Sequence, residues 1–249
     1  MAGPVSLVLL ARADDVPAGE GWLGPDERAR LAGLRVPKRR RDYLAGRWAG
    51  KRALALHGGH PPETPLHRFE IRPAESGAPQ AFRDGEPARV AISLSHSDGW
   101  AAALVRAGEA GVGCDLEQVE PRSRAFVEDY FTVPEQAFVA AGGAAEQGLR
   151  ATLVWSAKEA VMKALGEGLR LPPKVLTIAN STDGPAPGGW RLFAVTAPTE
   201  ASGLHGFWRT LGRFVLTVAT ADAHEPRLTG ELPPGTEGPS ETVTNPFRI

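Results

Sequence analysis

Apolar residues recur along this chain at two periods, and the changes between them mark its elements. A short apolar run at residues 5–10 predicts a strand, too brief for a helix. Apolar positions three and four apart at 25–34 and 38–56 predict two helices, the second interrupted only by glycines. His57-Gly-Gly-His-Pro-Pro-Glu-Thr-Pro65 is rich in breakers and predicts a loop, and strand-like runs follow at 69–72, 90–95 and 100–105. From Gly111 the order partly repeats: a strand at 112–117, helices near 122–131, 134–141 and 146–169, then strands at 175–178, 190–195 and 214–220. The pattern predicts an α+β fold of two halves, 1–108 and 109–224. No short fixed period recurs, which leaves solenoids and propellers unsupported. The tail, 225–249, is rich in proline, glycine and acid and too poor in apolar residues to offset its ordering entropy, so it is expected to be mobile or draped on the surface.

Composition narrows the class. With 249 residues the chain fits one large domain or two small ones, and none of its apolar runs approaches the roughly 20 residues of a membrane helix. A single cysteine, Cys114, permits no internal disulfide, and with an N-terminus lacking a basic leader it points to the cytoplasm. A net charge of -1 argues against bulk binding of nucleic acid. The charge is nevertheless uneven: ten basic residues lie between Arg28 and Arg52 against one acid, Asp42. Arg40, Arg47 and Lys51 fall beside the apolar stripe of their helix, as at a partly buried anion site or on a face of snorkelling stems.

The sharpest local pattern is Gly111-Val-Gly-Cys-Asp-Leu-Glu117. Strand side chains two apart share a face, so Asp115 and Glu117 point the same way while Val112, Cys114 and Leu116 enter the core. Paired carboxylates are either a solvated face or ligands for a hard divalent cation such as magnesium or calcium. In Trp155-Ser-Ala-Lys-Glu-Ala-Val-Met-Lys163, Glu159 and Lys163 share a helix face, as in an ordinary ion pair. Together the three acids and the lysine describe a metal-assisted site for a phosphate-bearing substrate, with Ser93-Leu-Ser-His-Ser-Asp-Gly-Trp100 as a phosphate-binding turn. A serine hydrolase lacks its Gly-x-Ser-x-Gly elbow, and Rossmann and P-loop sites lack their glycines. His57, His60 and His67 have no fourth metal ligand beside them, and Cys114 reads as a small core residue.

The ordered pair of segments, 111–117 and 155–163, closely resembles the signatures of the 4′-phosphopantetheinyl transferases of the larger, Sfp-type branch. Ser95-His96-Ser97, Tyr130-Phe131-Thr132-x-x-Glu135 and Gly77-Ala78-Pro79 resemble flanking segments of that family, and the likeness spans roughly residues 25–220. It implies a monomeric pseudo-dimer of two similar α+β halves with the active site in the cleft between them. It further implies transfer of the phosphopantetheine arm of coenzyme A to a serine of an apo acyl or peptidyl carrier protein, with release of adenosine 3′,5′-bisphosphate. On that resemblance Asp115, Glu117 and Glu159 would hold Mg²⁺, and Lys163 would contact the pyrophosphate. Ser95 and His96 would bind the nucleotide's phosphates, and Arg30, Arg41, Arg47 and Lys51 would lie near its 3′-phosphate or adenine. Glu159 would also take the serine proton. One departure is Ala78, where the family turn commonly has lysine; a cationic contact to the nucleotide is then missing there or is supplied by another residue, Arg72 or an arginine of the basic helix. Carriers of fatty acid synthases, polyketide synthases and nonribosomal peptide synthetases all fit, docking near 122–141 where Phe126, Tyr130, Phe131 and Phe138 are either contact or core. The other readings are a non-catalytic coenzyme A or carrier binding module and a metal-dependent pyrophosphate hydrolase.

Overall fold

The long helix of the first half explains its packing. α2 (Pro37–His57) starts on a proline, whose missing N–H is not needed in a first turn. Its buried positions include Ala45, Gly46, Ala49, Gly50, Ala53 and Ala55, a small-residue face that lets the helix approach a sheet closely. At Gly50 a methyl group would meet the Ile71 side chain and would stand 3.1 Å from the side chain of Leu94, which belongs to that sheet. That sheet has the order β12-β1-β6-β5, from β1 (Leu7–Arg12), β5 (Val90–Ser97), β6 (Trp100–Ala107) and β12 (Arg227–Gly230). β1 runs antiparallel to β6, and β6 to β5. A second, three-stranded sheet holds β2 (Phe69–Pro73), β3 (Pro79–Arg83) and β4 (Glu86–Pro87), and α1 (Pro25–Ala32) precedes α2.

The computed structural model describes residues 6–180, 189–197 and 203–236. These form two compact units, one reaching to Ala110 and taking in Pro226–Leu232, the other comprising Gly111–Glu225 and residues 233–236. The tail therefore departs from the sequence expectation: Arg227–Gly230 pairs parallel with β1, Leu7 to Leu10. Glu231, just beyond, faces the buried Arg52 electrostatically. The rest of the expected mobile tail, from 237 on, lies outside the described residues. Ending the chain after Glu225 is expected to lower unfolding stability by on the order of 2 kcal/mol, a few lost strand hydrogen bonds. Urea denaturation of the two lengths tests this, and equal midpoints would show the strand to be dispensable.

In the second unit β7 (Val112–Gln118) and β8 to β11 (Thr177–Asn180, Arg191–Thr196, His205–Leu211 and Phe214–Thr220) form an antiparallel sheet of order β7-β11-β10-β9-β8. α3 (Arg124–Tyr130) and α4 (Val133–Ala140) lead into α5 (Ala144–Ala164), which packs on β7 and β11. α5 stops short of the expected 169 because Gly166 and Gly168 take positive φ. Most expected elements appear within a few residues, and β3, β4, β10 and β12 are additions.

The α+β class holds, and the halves share a plan. In each, the first strand pairs antiparallel with the last of the unit's hairpin strands, and a 21-residue helix lies between them in sequence. Each also carries the same buried ion pair. Glu27 of α1 accepts hydrogen bonds from the N–H groups of Gly24 and of Ile71 in β2, and pairs with Lys51 of α2. Glu135 of α4 accepts from the N–H groups of Thr132 and of Ile178 in β8, and pairs with Lys158 of α5. A helix-capping glutamate thus ties a strand to the long helix twice over.

Candidate active site

β7 reaches α5 through two glycines. A Cβ on Gly113 would stand 1.8 Å from the Ala160 carbonyl oxygen, and one on Gly111 1.8 Å from that of Ala164, so no side chain fits at either position. Gly111, Gly113, Asp115 and Glu117 share one face of the strand, and the missing side chains let that face lie directly on the helix. The acids consequently do not line a solvated sheet face: Asp115 is 2 % exposed.

Lys163 Nζ donates to Asp115 Oδ1 at 2.7 Å and to the Cys114 carbonyl at 3.1 Å, and lies 3.7 Å from Glu159 Oε2. Arg122 donates to Glu117 Oε2 at 3.2 Å. Burial, then the charge of Asp115, pushes the Glu159 carboxyl up to about 7 against the pull of Lys163. Burial and Asp115 likewise raise Glu117, with Arg122 opposing. Burial works to lower the Lys163 ammonium, but Asp115 and Glu159 outweigh it and hold it above the usual lysine range. Beside these groups Thr217 of β11 donates to the Ser156 carbonyl at 2.9 Å, stitching α5 to the strand opposite Asp115.

The structure therefore brings together Asp115, Glu117, Glu159 and Lys163, as the motifs require. Among the described residues it presents no three His, Cys, Asp or Glu side chains at the spacing of a formed metal site, and Lys163 binds Asp115 directly. Arg122, Gly111 and Gly113 belong to the site and were missed as site residues. The signal for the glycines was their place on the same strand face as the acids.

Of the residues expected at the nucleotide, Lys51 needs correction. It is fully buried, paired with Glu27 and donating to the Trp22 carbonyl at 2.8 Å, so it is a core cation, not a phosphate contact. Arg47 lies 4.5 Å from the Tyr43 ring and 3.8 Å from Glu27, with 14 % of its side chain exposed. Arg30 and Arg41 are exposed. Ser95 is buried on β5, and His96 beside it is half exposed, its Nδ1 4.0 Å from Asp42 Oδ2 on α2. The turn after them uses positive φ at Asp98 and Gly99. Arg72 binds Glu70 and, at 2.8 Å, Asp26, so its charge is already engaged near the Ala78 turn. Of the four aromatics at 122–141, Phe131 is core, Phe126 and Phe138 are partly buried against it, and Tyr130 is exposed.

Comparison with known proteins bears on these halves separately. The description "4′-phosphopantetheinyl transferase N-terminal domain" matches residues 27–106, and "4′-phosphopantetheinyl transferase superfamily" matches 111–219. The 4′-phosphopantetheinyl transferase AcpT of Salmonella typhimurium is 34% identical over 161 residues, 64% of this chain and 73% of that protein. The chain belongs to the 4′-phosphopantetheinyl transferase superfamily. Within the superfamily, a holo-[acyl-carrier-protein] synthase of Shouchella clausii is 42% identical over 82 residues, 32% of this chain and 67% of its own. The 4′-phosphopantetheinyl transferase psf-1 of Bacillus pumilus is 33% identical over 126 residues, 49% of this chain and 53% of its own. Both matched regions lie in this one chain, 27–106 followed by 111–219. No helix among its described residues is long and apolar enough to cross a membrane.

The raised Glu159 carboxyl gives the folded protein a pH signature. A carboxyl near 7 when folded and near 4.5 when unfolded binds more protons in the folded state between those values. Its contribution to stability is thus complete below the ordinary carboxylate range and is lost as pH rises through about 7. In chelator, wild type is expected to lose on the order of 2 kcal/mol relative to Glu159→Gln between about pH 5 and pH 8. Urea titrations at both pH values measure it, and a difference independent of pH would refute the burial of this charge.

Proposed function

We propose that this chain transfers the 4′-phosphopantetheine group of coenzyme A to a serine of an apo acyl or peptidyl carrier protein, releasing adenosine 3′,5′-bisphosphate. The observation that carries the reading is the convergence of Asp115, Glu117, Glu159 and Lys163 where β7 lies on α5. Three carboxylates without nitrogen or sulfur donors suit a hard divalent cation, and their mutual repulsion is what such an ion offsets. Asp115, Glu117 and Glu159 would hold Mg²⁺, which when bound supplies positive charge to the pyrophosphate.

The chain's own groups account for the rest. The carrier serine Oγ attacks the phosphorus bearing pantetheine, and the bond from that phosphorus to the bridging oxygen of the nucleotide phosphate breaks. Glu159, raised toward neutral pH, takes the serine proton. Lys163, with 28 % of its side chain exposed, donates to the departing phosphate. Ser95, His96, Arg30, Arg41 and Arg47 bind the nucleotide's phosphates and adenine, without Lys51.

The test is incubation with coenzyme A, Mg²⁺ and a panel of apo carriers from fatty acid, polyketide and nonribosomal peptide synthases, read by intact mass. One phosphopantetheine added to the carrier serine supports the reading and ranks the carriers. Consumption of coenzyme A without carrier modification would make the protein a hydrolase, and binding without turnover a recognition module.

A further inference from the structure

The Trp155–Glu159 segment contains a buried cation that the proposed chemistry does not use. Lys158 is fully buried, and its Nζ makes three contacts: Glu135 Oε2 at 2.9 Å, the Pro173 carbonyl at 2.8 Å and the Leu176 carbonyl at 2.5 Å. These join α5 at one point to α4 and to the 173–176 turn that leads into β8. Glu135 is itself held by the N–H groups of Thr132 and Ile178, so the anchor is fixed at both ends.

Helical geometry turns this anchor into a constraint on the active site. Consecutive residues of an α-helix point about 100° apart, so fixing Lys158 on the β8 side fixes where Glu159 projects. On another side Ser156 and Thr217 join their hydroxyls at 2.9 Å, while Gly113 leaves the Ala160 carbonyl no room to shift toward β7. α5 is held against rotation from several directions at the level of Glu159. We propose that the Lys158–Glu135 pair is a positioning device for the transfer reaction, setting the rotation of α5 that places Glu159 and Lys163 against Asp115. The inference rests on the transferase reading. Its counterpart, Lys51–Glu27, fixes α2 in the same way, but the residue after Lys51 is Arg52, so the device there positions no carboxylate.

The test separates positioning from bulk stability. Removing both charges together leaves no unpaired buried charge, so Glu135→Gln/Lys158→Met should still fold cooperatively, at a lower midpoint because buried N–H and carbonyl partners are lost, and kcat is read on the folded protein. A misplacement of about 1 Å at a reacting group costs about 100-fold in rate. The double variant is therefore expected to lose 10- to 100-fold in kcat, by order of magnitude, with KM for coenzyme A little changed. Glu27→Gln/Lys51→Met should instead leave kcat within about threefold while raising KM, because α2 carries Arg41 and Arg47. If the Lys158 pair cannot be removed without unfolding, Lys158→Arg decides: retention of the cation should keep the fold, and the longer, planar guanidinium, which cannot converge on Glu135 and the two carbonyls as one ammonium does, should still lower kcat without moving KM. A folded Lys158 variant with wild-type kcat would overturn the positioning role. Failure of wild type itself to modify any carrier would instead refute the transferase reading.

Discussion

Asp115→Asn is expected to abolish carrier modification by about two to three orders of magnitude, the cost of losing one group that stabilises developing charge, while the protein still folds. The substitution keeps the size and shape of the side chain, so β7 and α5 can keep their contact. What changes is charge. Asp115 holds Lys163 at 2.7 Å and is, after burial, the largest influence raising Glu159. Asparagine would leave Lys163 with Glu159 as its remaining acidic neighbour at 3.7 Å and would remove one of three anionic oxygen donors. The Glu159 carboxyl should then titrate closer to the ordinary range, so any residual activity should persist to lower pH than in wild type. Transfer assays across pH, with folding checked by circular dichroism, measure both effects. Near-normal turnover of folded Asp115→Asn would show that β7 contributes no essential charge to the reaction.

The parts of this site that were legible in the sequence share one property: their spacing is local. Asp115 and Glu117 alternate on one strand, Glu159 and Lys163 stand one helical turn apart, and both patterns survive translation into three dimensions. Lys51 misled for a related reason. Helical spacing put it beside Arg47, but its partner, Glu27, comes from another helix and carries no local signal. Period also fails for β10, which buries Gly206 to Arg209 in succession and shows no alternation. β3 and β4 are short and polar, and β12 sits in a turn-rich tail whose pairing is decided by the edge of β1. Internal duplication was partly visible in element order, yet its clearest mark is the pair of buried glutamate–lysine contacts, which no sequence period displays.

Gly113→Ala should be among the most destabilising single-methyl changes available in this protein, costing on the order of 3 kcal/mol or more, at or beyond the upper range for overpacking. The added carbon would stand 1.8 Å from the Ala160 carbonyl oxygen and 2.7 Å from the Ala164 nitrogen. Both are backbone atoms of α5, so neither can rotate away as a side chain would; α5 must lift from β7 or the strand must bend. Lifting the helix separates Glu159 and Lys163 from Asp115, and carrier modification should fall further than the loss of folded protein alone would cause. Gly148→Ala supplies the contrast on the same helix. Its nearest new contact would be the Glu120 carbonyl oxygen at 3.5 Å, an ordinary approach, and alanine favours a helix interior over glycine by about 1 kcal/mol. Denaturation should therefore move in opposite directions for two identical chemical changes, one on β7 and one on α5 of the same unit. If Gly113→Ala instead folds with wild-type stability and full activity, β7 does not depend on a bare backbone to meet α5, and the proximity of the acids must be maintained by other contacts.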